Sequence, residues 1–322
     1  MRPFLNAIGM HSFSFLSMPG VVAVGLGIKA KNNRFTGVPS LVFGVEKKLP
    51  RGEVRSGEMI PQTLDSLPTD VVQTGKIRFL GFALPSPTEP DDDQAEVRKQ
   101  RMRPAQPGVS IGHYRVTAGT MGALVRGDFP GEIAILGNNH ILANGTSGSD
   151  GRAFAGDPVL QPAPYDNGGR KDVIAKLYKY SPLLPQKGKS MGPVNRLDAA
   201  LAIPVERETV AGQVLGLGKV SGTARVFPGE TVFKSGRSTG VTSGPVTSVS
   251  NTLKVENDEK IYIFEDQIGT TAKSDGGDSG SLVVNRYGRV VGLLFAGSDK
   301  YTYVNPINRV FDYFGVSLFT AT

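Results

Sequence analysis

The stretch that decides the fold is SDGGDSGSLVV, residues 274–284, in which glycines flank an aspartate and a serine directly before an apolar run. Glycine permits backbone twists that other residues avoid, so Gly277 and Ser279 can direct backbone N–H groups into one pocket. Such groups stabilise negative charge on a reacting oxygen. The alternative is an ordinary tight turn ahead of a strand. Other parts of the sequence are needed to decide whether Ser279 is a reactive serine or belongs to an ordinary turn.

The composition favours a mainly β protein. The chain has 322 residues with 41 glycines and no cysteine. Short apolar or β-branched runs alternate with Gly, Pro, Asn and Asp, which is typical of a sandwich or barrel. The length allows one to three domains. Without cysteine, a disulfide framework and thiol catalysis are both excluded.

Charge and hydropathy argue against nucleic-acid and membrane partners. The net charge is +7, but the one dense basic cluster, RKQRMR at 98–103, follows the acidic stretch EPDDDQAE and has no interleaved aromatic residues. This mixture predicts a solvated segment rather than a nucleic-acid site. No run reaches the ~18 apolar residues of a membrane span. The first 20 residues indicate an amphipathic helix rather than a signal peptide, and with the missing cysteines this predicts a cytoplasmic protein.

The chain divides into three parts by composition. Residues 1–82 predict a small α+β accessory domain that regulates access or mediates assembly into a homo-oligomer. Residues 83–107 are Pro-rich and charged, which predicts an exposed linker. Residues 108–322 hold many short strand-like runs and end in NPINRVFDYFG, whose apolar spacing predicts a C-terminal helix. Within the first part, strands are expected at 21–31, 40–49 and 69–80.

A reactive serine needs a base, and the chain has three histidines, at 11, 113 and 140. His140 lies in AILGNNHILANG, at the end of an apolar run, where a side chain is well placed to face a cleft. His113 lies near the start of the third part, and His11 in the predicted N-terminal helix. We therefore assign the base to His140.

The base in turn needs an acid to orient it. Asp198 lies in NRLDAALAIPV and opens an apolar strand, where a carboxylate is costly to bury without a partner. Asp157, in AGDPVLQP, is the alternative. We take Asp198 as the orienting acid.

The blocks NNHIL, LDAALA and GDSGS, in the order His140, Asp198, Ser279, resemble the signature blocks of trypsin-like, chymotrypsin-fold serine peptidases over roughly residues 108–317. The chain is more similar to the disulfide-free bacterial branch, and PGVVAVGLGIKAK and KSGRSTG also resemble the plant Narrow Leaf serine protease group. The resemblance implies two six-stranded β-barrels with the triad in the cleft between them. It further implies an oxyanion hole formed by Gly277 and Ser279, and a protein or peptide substrate. It implies neither a cofactor nor a metal.

Specificity is inferred from the same resemblance. The residue six before the nucleophile, Lys273, would lie at the base of the substrate pocket, with Phe295 and Gly297 on its wall. A lysine there would repel basic side chains and favour acidic, small or apolar ones. The alternative is that Lys273 points to solvent. The alternative function is a catalytically silent binding or scaffold protein that keeps the protease fold.

Overall fold

A computed structural model describes residues 1–31, 34–81, 95–188, 192–257 and 259–320. The part up to residue 81 contains, in chain order, α1 (Arg2–Leu16), β1 (Val21–Lys31), β2 (Arg34–Val45), β3 (Thr63–Leu64), β4 (Leu67–Gln73) and β5 (Ile77–Phe79). The predicted N-terminal helix and strand pair are therefore present. The predicted third strand is divided in two, because Thr74–Lys76 interrupts it.

The remaining elements are almost all strands. They are α2 (Ala95–Lys99), β6 (Ser110–His113), β7 (Gly119–Thr120), β8 (Ala123–Gly127), β9 (Ala134–Gly137), α3 (Asn139–Leu142), β10 (Pro158–Leu160), β11 (Val173–Tyr180), β12 (Val194–Asn195), β13 (Ala200–Pro204), β14 (Thr231–Gly236), β15 (Gly240–Asn257), β16 (Lys260–Thr270), β17 (Leu282–Asn285), β18 (Val290–Gly297), β19 (Thr302–Pro306), α4 (Ile307–Phe314) and β20 (Val316–Leu318). Short 3-10 helices lie at Arg51–Glu53, Ser56–Glu58, Pro164–Asp166, Arg170–Asp172 and Arg207–Thr209.

The first barrel is built from an 8-stranded sheet in the order β20-β8-β9-β13-β11-β10-β6-β7. The sheet closes into a barrel because the chain passes almost directly from β7, at one end of this order, into β8, near the other end. Backbone bonds from Met121 N to Val109 O (2.9 Å) and from Gly122 N to Leu136 O (3.1 Å) carry the pairing across the short gap between them. An apolar cluster that includes Ile111, Leu124 and Ile135 fills the interior.

The second barrel lies within a 12-stranded sheet. Strands β15, β16, β19, β18, β17 and β14 pair in a ring, which closes because β14 and β16 both pair with β15. A further apolar cluster, containing Leu136, Leu293 and Val310, joins the two barrels and α4. The mainly β, two-barrel chymotrypsin-like architecture predicted from the sequence is confirmed.

The N-terminal strands extend the second barrel's sheet rather than forming a sheet of their own. β1 pairs with β15, with Ala23 opposite Leu253, and β2 and β4 follow outward from β1. β5 pairs with both β15 and β18. The division predicted at residue 82 is therefore not a division of the sheet.

The predicted linker, residues 83–107, is only partly described. Arg98 in α2 is fully buried, and its Nη1 donates to Gly108 O at 3.0 Å and to Ser235 Oγ at 2.8 Å. The prediction of an exposed basic segment is wrong at this position, because two distant polar groups compensate the buried guanidinium. Among the described residues, no helix is both long enough and apolar enough to cross a membrane.

Candidate active site

His140 and Asp198 form a fully buried pair in the first barrel. β9 delivers His140 through the short helix α3, and Asp198 immediately precedes β13. His140 Nδ1 is hydrogen-bonded to Asp198 Oδ2, and the His140 backbone N–H donates to Asp198 Oδ1 at 3.1 Å. A carboxylate only accepts hydrogen bonds, so the ring proton of His140 is on Nδ1. Nε2 is then the unprotonated nitrogen, which can accept a proton.

Two asparagines fix the backbone of Asp198. Asn138 Nδ2 donates to Asp198 O at 2.7 Å, and the Asp198 N–H donates to Asn305 Oδ1 at 3.0 Å. Asn305 belongs to β19 of the second barrel. The orientation of the carboxylate is therefore set from both barrels.

Ser279 lies in the loop between β16 and β17, next to the fully buried Asp278. Asp278 Oδ2 lies 3.2 Å from Lys234 Nζ, and Asp278 Oδ1 accepts the N–H groups of Ser238 (2.9 Å) and Thr239 (3.1 Å). Burial alone would raise the pKa of Asp278, but Lys234, the Thr239 hydroxyl and the N–H groups of Ser238 and Asp275 overcome it, so the pKa is lowered. The loop is thus anchored by an internal ion pair.

Lys234 was not among the residues predicted from the sequence. It lies on β14 in ETVFKSG and is fully buried, as is Asp278. The available signal was a lysine within an apolar strand, since a buried ammonium group requires a charged partner.

The first barrel also contacts the nucleophile loop through Thr120. The Thr120 N–H donates to Ser279 O at 2.7 Å, and Thr120 Oγ1 donates to Gly277 O at 2.8 Å. Ser279 Oγ donates to Phe295 O at 3.1 Å. Gly277 has φ of +97°, a conformation that favours glycine. These contacts hold Ser279 between the two barrels.

The site holds a segment of the chain's own N-terminal region. β5 runs antiparallel to β18, with Phe79 opposite Ala296. Beyond the strand, the Leu80 N–H points to Phe295 O at 3.4 Å, and the Gly277 N–H donates to Leu80 O at 2.7 Å. The N–H predicted to stabilise an oxyanion therefore binds a peptide carbonyl.

Gly81 lies against His140. A Cβ at Gly81 would be 2.6 Å from His140 Nε2 and 2.2 Å from Ile141 Cδ1. The rings of Phe79 and His140 have centroids 5.0 Å apart. The Leu80–Gly81 peptide thus passes between the loop that carries Ser279 and the imidazole of His140, and Ser279 and His140 are both fully buried beneath it.

The structure places the other candidate base and the other candidate acid together. His113 Nε2 lies 3.1 Å from Asp157 Oδ2, and the Arg115 N–H points to His113 Nδ1 at 3.2 Å. Burial lowers the pKa of His113 against the opposing hydrogen bond from Asp157. Asp157, the alternative orienting acid, is therefore paired with His113 and not with His140. His11 lies on α1 and pairs with Asp65 at 2.8 Å.

The predicted pocket residues divide into two groups. Phe295 and Gly297 adjoin the bound segment, and a Cβ at Gly297 would lie 3.2 Å from Leu80 Cδ1. Lys273 is exposed, and its carbonyl accepts from Thr242 Oγ1 at 2.7 Å. The predicted position of Lys273 at the base of the pocket finds no support, because its loop turns the residue outward. Within the described part of the chain, no group of His, Asp and Glu side chains could hold a metal ion.

Comparisons with known proteins return structural likenesses only. No family model matches the chain, and no curated protein matches it. Protease A of Thermobifida fusca is 20% identical with a TM-score of 0.49, and the chymotrypsin of Cellulomonas bogoriensis is 18% identical with a TM-score of 0.48. Nocardiopsis protease is 16% identical with a TM-score of 0.47.

Each of these three likenesses covers 67% of this chain and 100% of the other. At TM-scores below 0.5, they carry no inference about the activity of this chain. The resemblance to the plant Narrow Leaf group stays a prediction.

Proposed function

We propose that the protein is a serine endopeptidase that hydrolyses peptide bonds through an acyl-enzyme. Ser279 is the nucleophile, His140 the base and Asp198 the group that orients the base. One observation carries the proposal: the Gly277 N–H, in the loop that carries Ser279, donates to a peptide carbonyl, Leu80 O, at 2.7 Å, and the next residue, Gly81, lies against His140. A peptide bond is thus held where the three groups could act on it.

The roles follow from the hydrogen bonds. Asp198 keeps the proton of His140 on Nδ1, so Nε2 can accept the proton of Ser279 Oγ during attack, once that hydroxyl has turned from Phe295 O. When the carbonyl carbon becomes tetrahedral, its oxygen gains negative charge, and the Gly277 N–H stabilises it. His140 then gives its proton to the departing amine, and water hydrolyses the ester in a second round. No step requires a cofactor or metal, and the substrate is a protein or peptide.

One observation favours the alternative, a catalytically silent binding protein. Ser279 and His140 are both fully buried, and residues 79–81 lie against His140 and the Gly277 N–H. A permanently covered site would bind its own segment and turn over nothing.

A serine-reactive fluorophosphonate probe separates the two functions. We expect mass spectrometry to find the probe on Ser279 of the folded wild type, and on no residue of Ser279→Ala or of heat-denatured protein. Ser281→Ala is the matched control, since Ser281 is a buried serine in the same loop whose Oγ donates to Asp278 O at 2.6 Å. This variant should still be labelled at Ser279. Absence of labelling both in wild type and in Leu80→Asp, which weakens the covering segment, would favour the silent binding protein.

A further inference from the structure

Residues 77–81 lie in the site as an extended peptide that pairs with β18. Gly297 is opposite Arg78, Ala296 opposite Phe79, and Phe295 O faces the Leu80 N–H. Antiparallel addition of an extended segment to a sheet edge is a common mode of peptide recognition, in which backbone hydrogen bonds fix the register. Here the register places Leu80 O at the Gly277 N–H.

We propose that Leu80–Gly81 is an intramolecular substrate, which the site cleaves in cis. This inference rests on the proposed peptidase function. It assigns a substrate class, a bond that follows a leucine-sized apolar residue and precedes glycine. It also gives residues 1–80 a role as a product that stays attached to the second barrel.

The side chain of Leu80 supports this assignment. It is 7% exposed and belongs to an apolar cluster of the second barrel with Val283 and Leu294. Burial of a leucine side chain contributes roughly 1.5–3 kcal/mol, whereas an ionised group in the same place would be strongly unfavourable. Arg78, two residues earlier, is exposed. Phe79, between them, is 2% exposed and packs against the His140 ring, so recognition combines Leu80 with the residue before it.

Gly81 is fitted to the other side of the bond. A Cβ there would lie closer than 3.0 Å to side-chain atoms of both His140 and Ile141. Thr117 Oγ1 donates to Gly81 O at 2.5 Å and holds the residue in place. Glycine brings the Leu80–Gly81 bond close to His140, which must protonate the leaving amine.

The reaction balances within the chain and one water molecule. Ser279 Oγ bonds to the Leu80 carbonyl carbon while His140 Nε2 takes the hydroxyl proton. The C–N bond to Gly81 then breaks, and the proton passes from His140 to the new Gly81 amine. Water then attacks the Leu80 ester carbon while His140 Nε2 takes a proton from it. The bond from this carbon to Ser279 Oγ breaks, His140 returns the proton to Oγ, and Leu80 is left with a free carboxylate.

The product should remain attached after cleavage. β1 pairs with β15, and the apolar cluster that contains Phe15 and Leu16 of α1 also contains Ile263 of β16, with Val249 of β15 packed against it. Residues 1–80 are thus held by contacts that do not depend on the broken bond. The two fragments are expected to co-purify and to separate only in denaturant.

The test is intact-mass measurement of the purified full-length chain, incubated and then denatured. We expect wild type to give one fragment that ends at Leu80 and another that begins at Gly81, at a rate that does not change on dilution. Ser279→Ala should remain a single chain. In a mixture with wild type it should remain largely intact, because its own site is occupied by its own segment.

Two matched pairs of variants test the recognition. Leu80→Asp should slow cleavage by about 100-fold or more, while Leu80→Met, of similar volume and polarity, should be cut. Gly81→Ala should slow cleavage by about 100-fold, because the added Cβ displaces the bond from His140. Gly52→Ala is its control, since a Cβ there meets nothing within 4 Å.

Several results would overturn the inference. A wild type that stays whole while the probe labels its Ser279 would leave the peptidase function standing and remove self-cleavage. Labelling of Ser279 only in Leu80→Asp, with wild type uncut, would show that the segment blocks the site without being a substrate. Cleavage at Leu80–Gly81 in Ser279→Ala would assign the cut to another nucleophile. A wild type neither cut nor labelled, with Leu80→Asp also unlabelled, would remove the proposed function as well.

Discussion

Two histidine–aspartate pairs lie in the first barrel, and both imidazoles are fully buried. In one, His140 turns Nδ1 to Asp198, and Nε2 faces the Leu80–Gly81 segment. In the other, His113 turns Nε2 to Asp157, and its Nδ1 faces the Arg115 N–H. The two histidines therefore use different ring nitrogens to contact their aspartates.

The difference decides what each pair can do. A backbone N–H only donates, so Nδ1 of His113 is the acceptor and Nε2 carries the proton toward Asp157. Both ring nitrogens of His113 are then committed to the protein. In the His140 pair the carboxylate occupies Nδ1, and Nε2 is directed at the bound peptide. Turnover is therefore assigned to the first pair and stability to the second.

The largest expected effect comes from removing each imidazole. His140→Ala should lower kcat on a fluorogenic peptide by at least about 10⁴-fold, since the base acts as a unit with Ser279. His113→Ala should leave kcat nearly unchanged and lower the free energy of unfolding by about 1–3 kcal/mol, because Asp157 loses its partner. Circular dichroism would establish that both variants are folded. Loss of turnover in a folded His113→Ala with activity retained in His140→Ala would reverse the assignment.

Substitutions of the two aspartates should differ in their effects in the same way as those of the two histidines. Asp198→Asn should lower kcat by about 10⁴-fold, because an amide N–H toward Nδ1 favours the wrong tautomer of His140. Asp157→Asn should leave kcat unchanged and cost about 1 kcal/mol of stability. Steady-state kinetics and urea unfolding on the same samples would measure both. Equal losses of kcat in the two variants would show that the pairs are not functionally distinct.

The sequence could nominate residues for the candidate site because their signals are local. GDSGS marks a loop, and His140 and Asp198 each stand at the end of an apolar run, where a strand meets a cleft. Strand periodicity also predicted β1 and the second half of β2. Such features depend on a few neighbouring residues.

The features that the sequence did not predict depend on contacts between residues that are far apart in the chain. The segment at 77–81 reads as part of an ordinary strand, and its contact with β18 joins residues more than 200 positions apart. Arg98 belongs to a charged cluster that looks solvent-exposed in the sequence. Its side chain can nevertheless be buried because Gly108 O and Ser235 Oγ accept hydrogen bonds from its guanidinium. Composition cannot report these pairings, so residues 1–82 looked like a separate domain.

The pH dependence of stability should sharpen the contrast further. Burial lowers the pKa of His113 below its ordinary 6.5, with the Asp157 hydrogen bond in opposition and Arg115 adding to the lowering. The unfolded chain therefore binds more protons than the folded one as the pH falls below 6.5. The stabilisation is complete above that value and is lost as the pH falls through the folded pKa.

The slope from this one group is at most about 1.4 kcal/mol per pH unit. Urea unfolding of wild type and His113→Gln between about pH 5 and pH 8 would measure it. The difference in unfolding free energy between the two proteins should shrink toward acid pH. A difference that grows toward acid pH would mean that the fold favours the protonated imidazole.

A third histidine–aspartate pair supplies the smallest expected effect. His11 Nε2 lies 2.8 Å from Asp65 Oδ2, but the two side chains are 33% and 47% exposed. Water screens such a pair, and exposed ion pairs typically contribute about 0–1 kcal/mol. His11→Ala should therefore change the free energy of unfolding by less than about 1 kcal/mol and leave kcat unaltered. A loss as large as that of His113→Ala would show that the contact between α1 and the turn at Asp65 anchors the N-terminal strands, and that burial does not rank the three pairs.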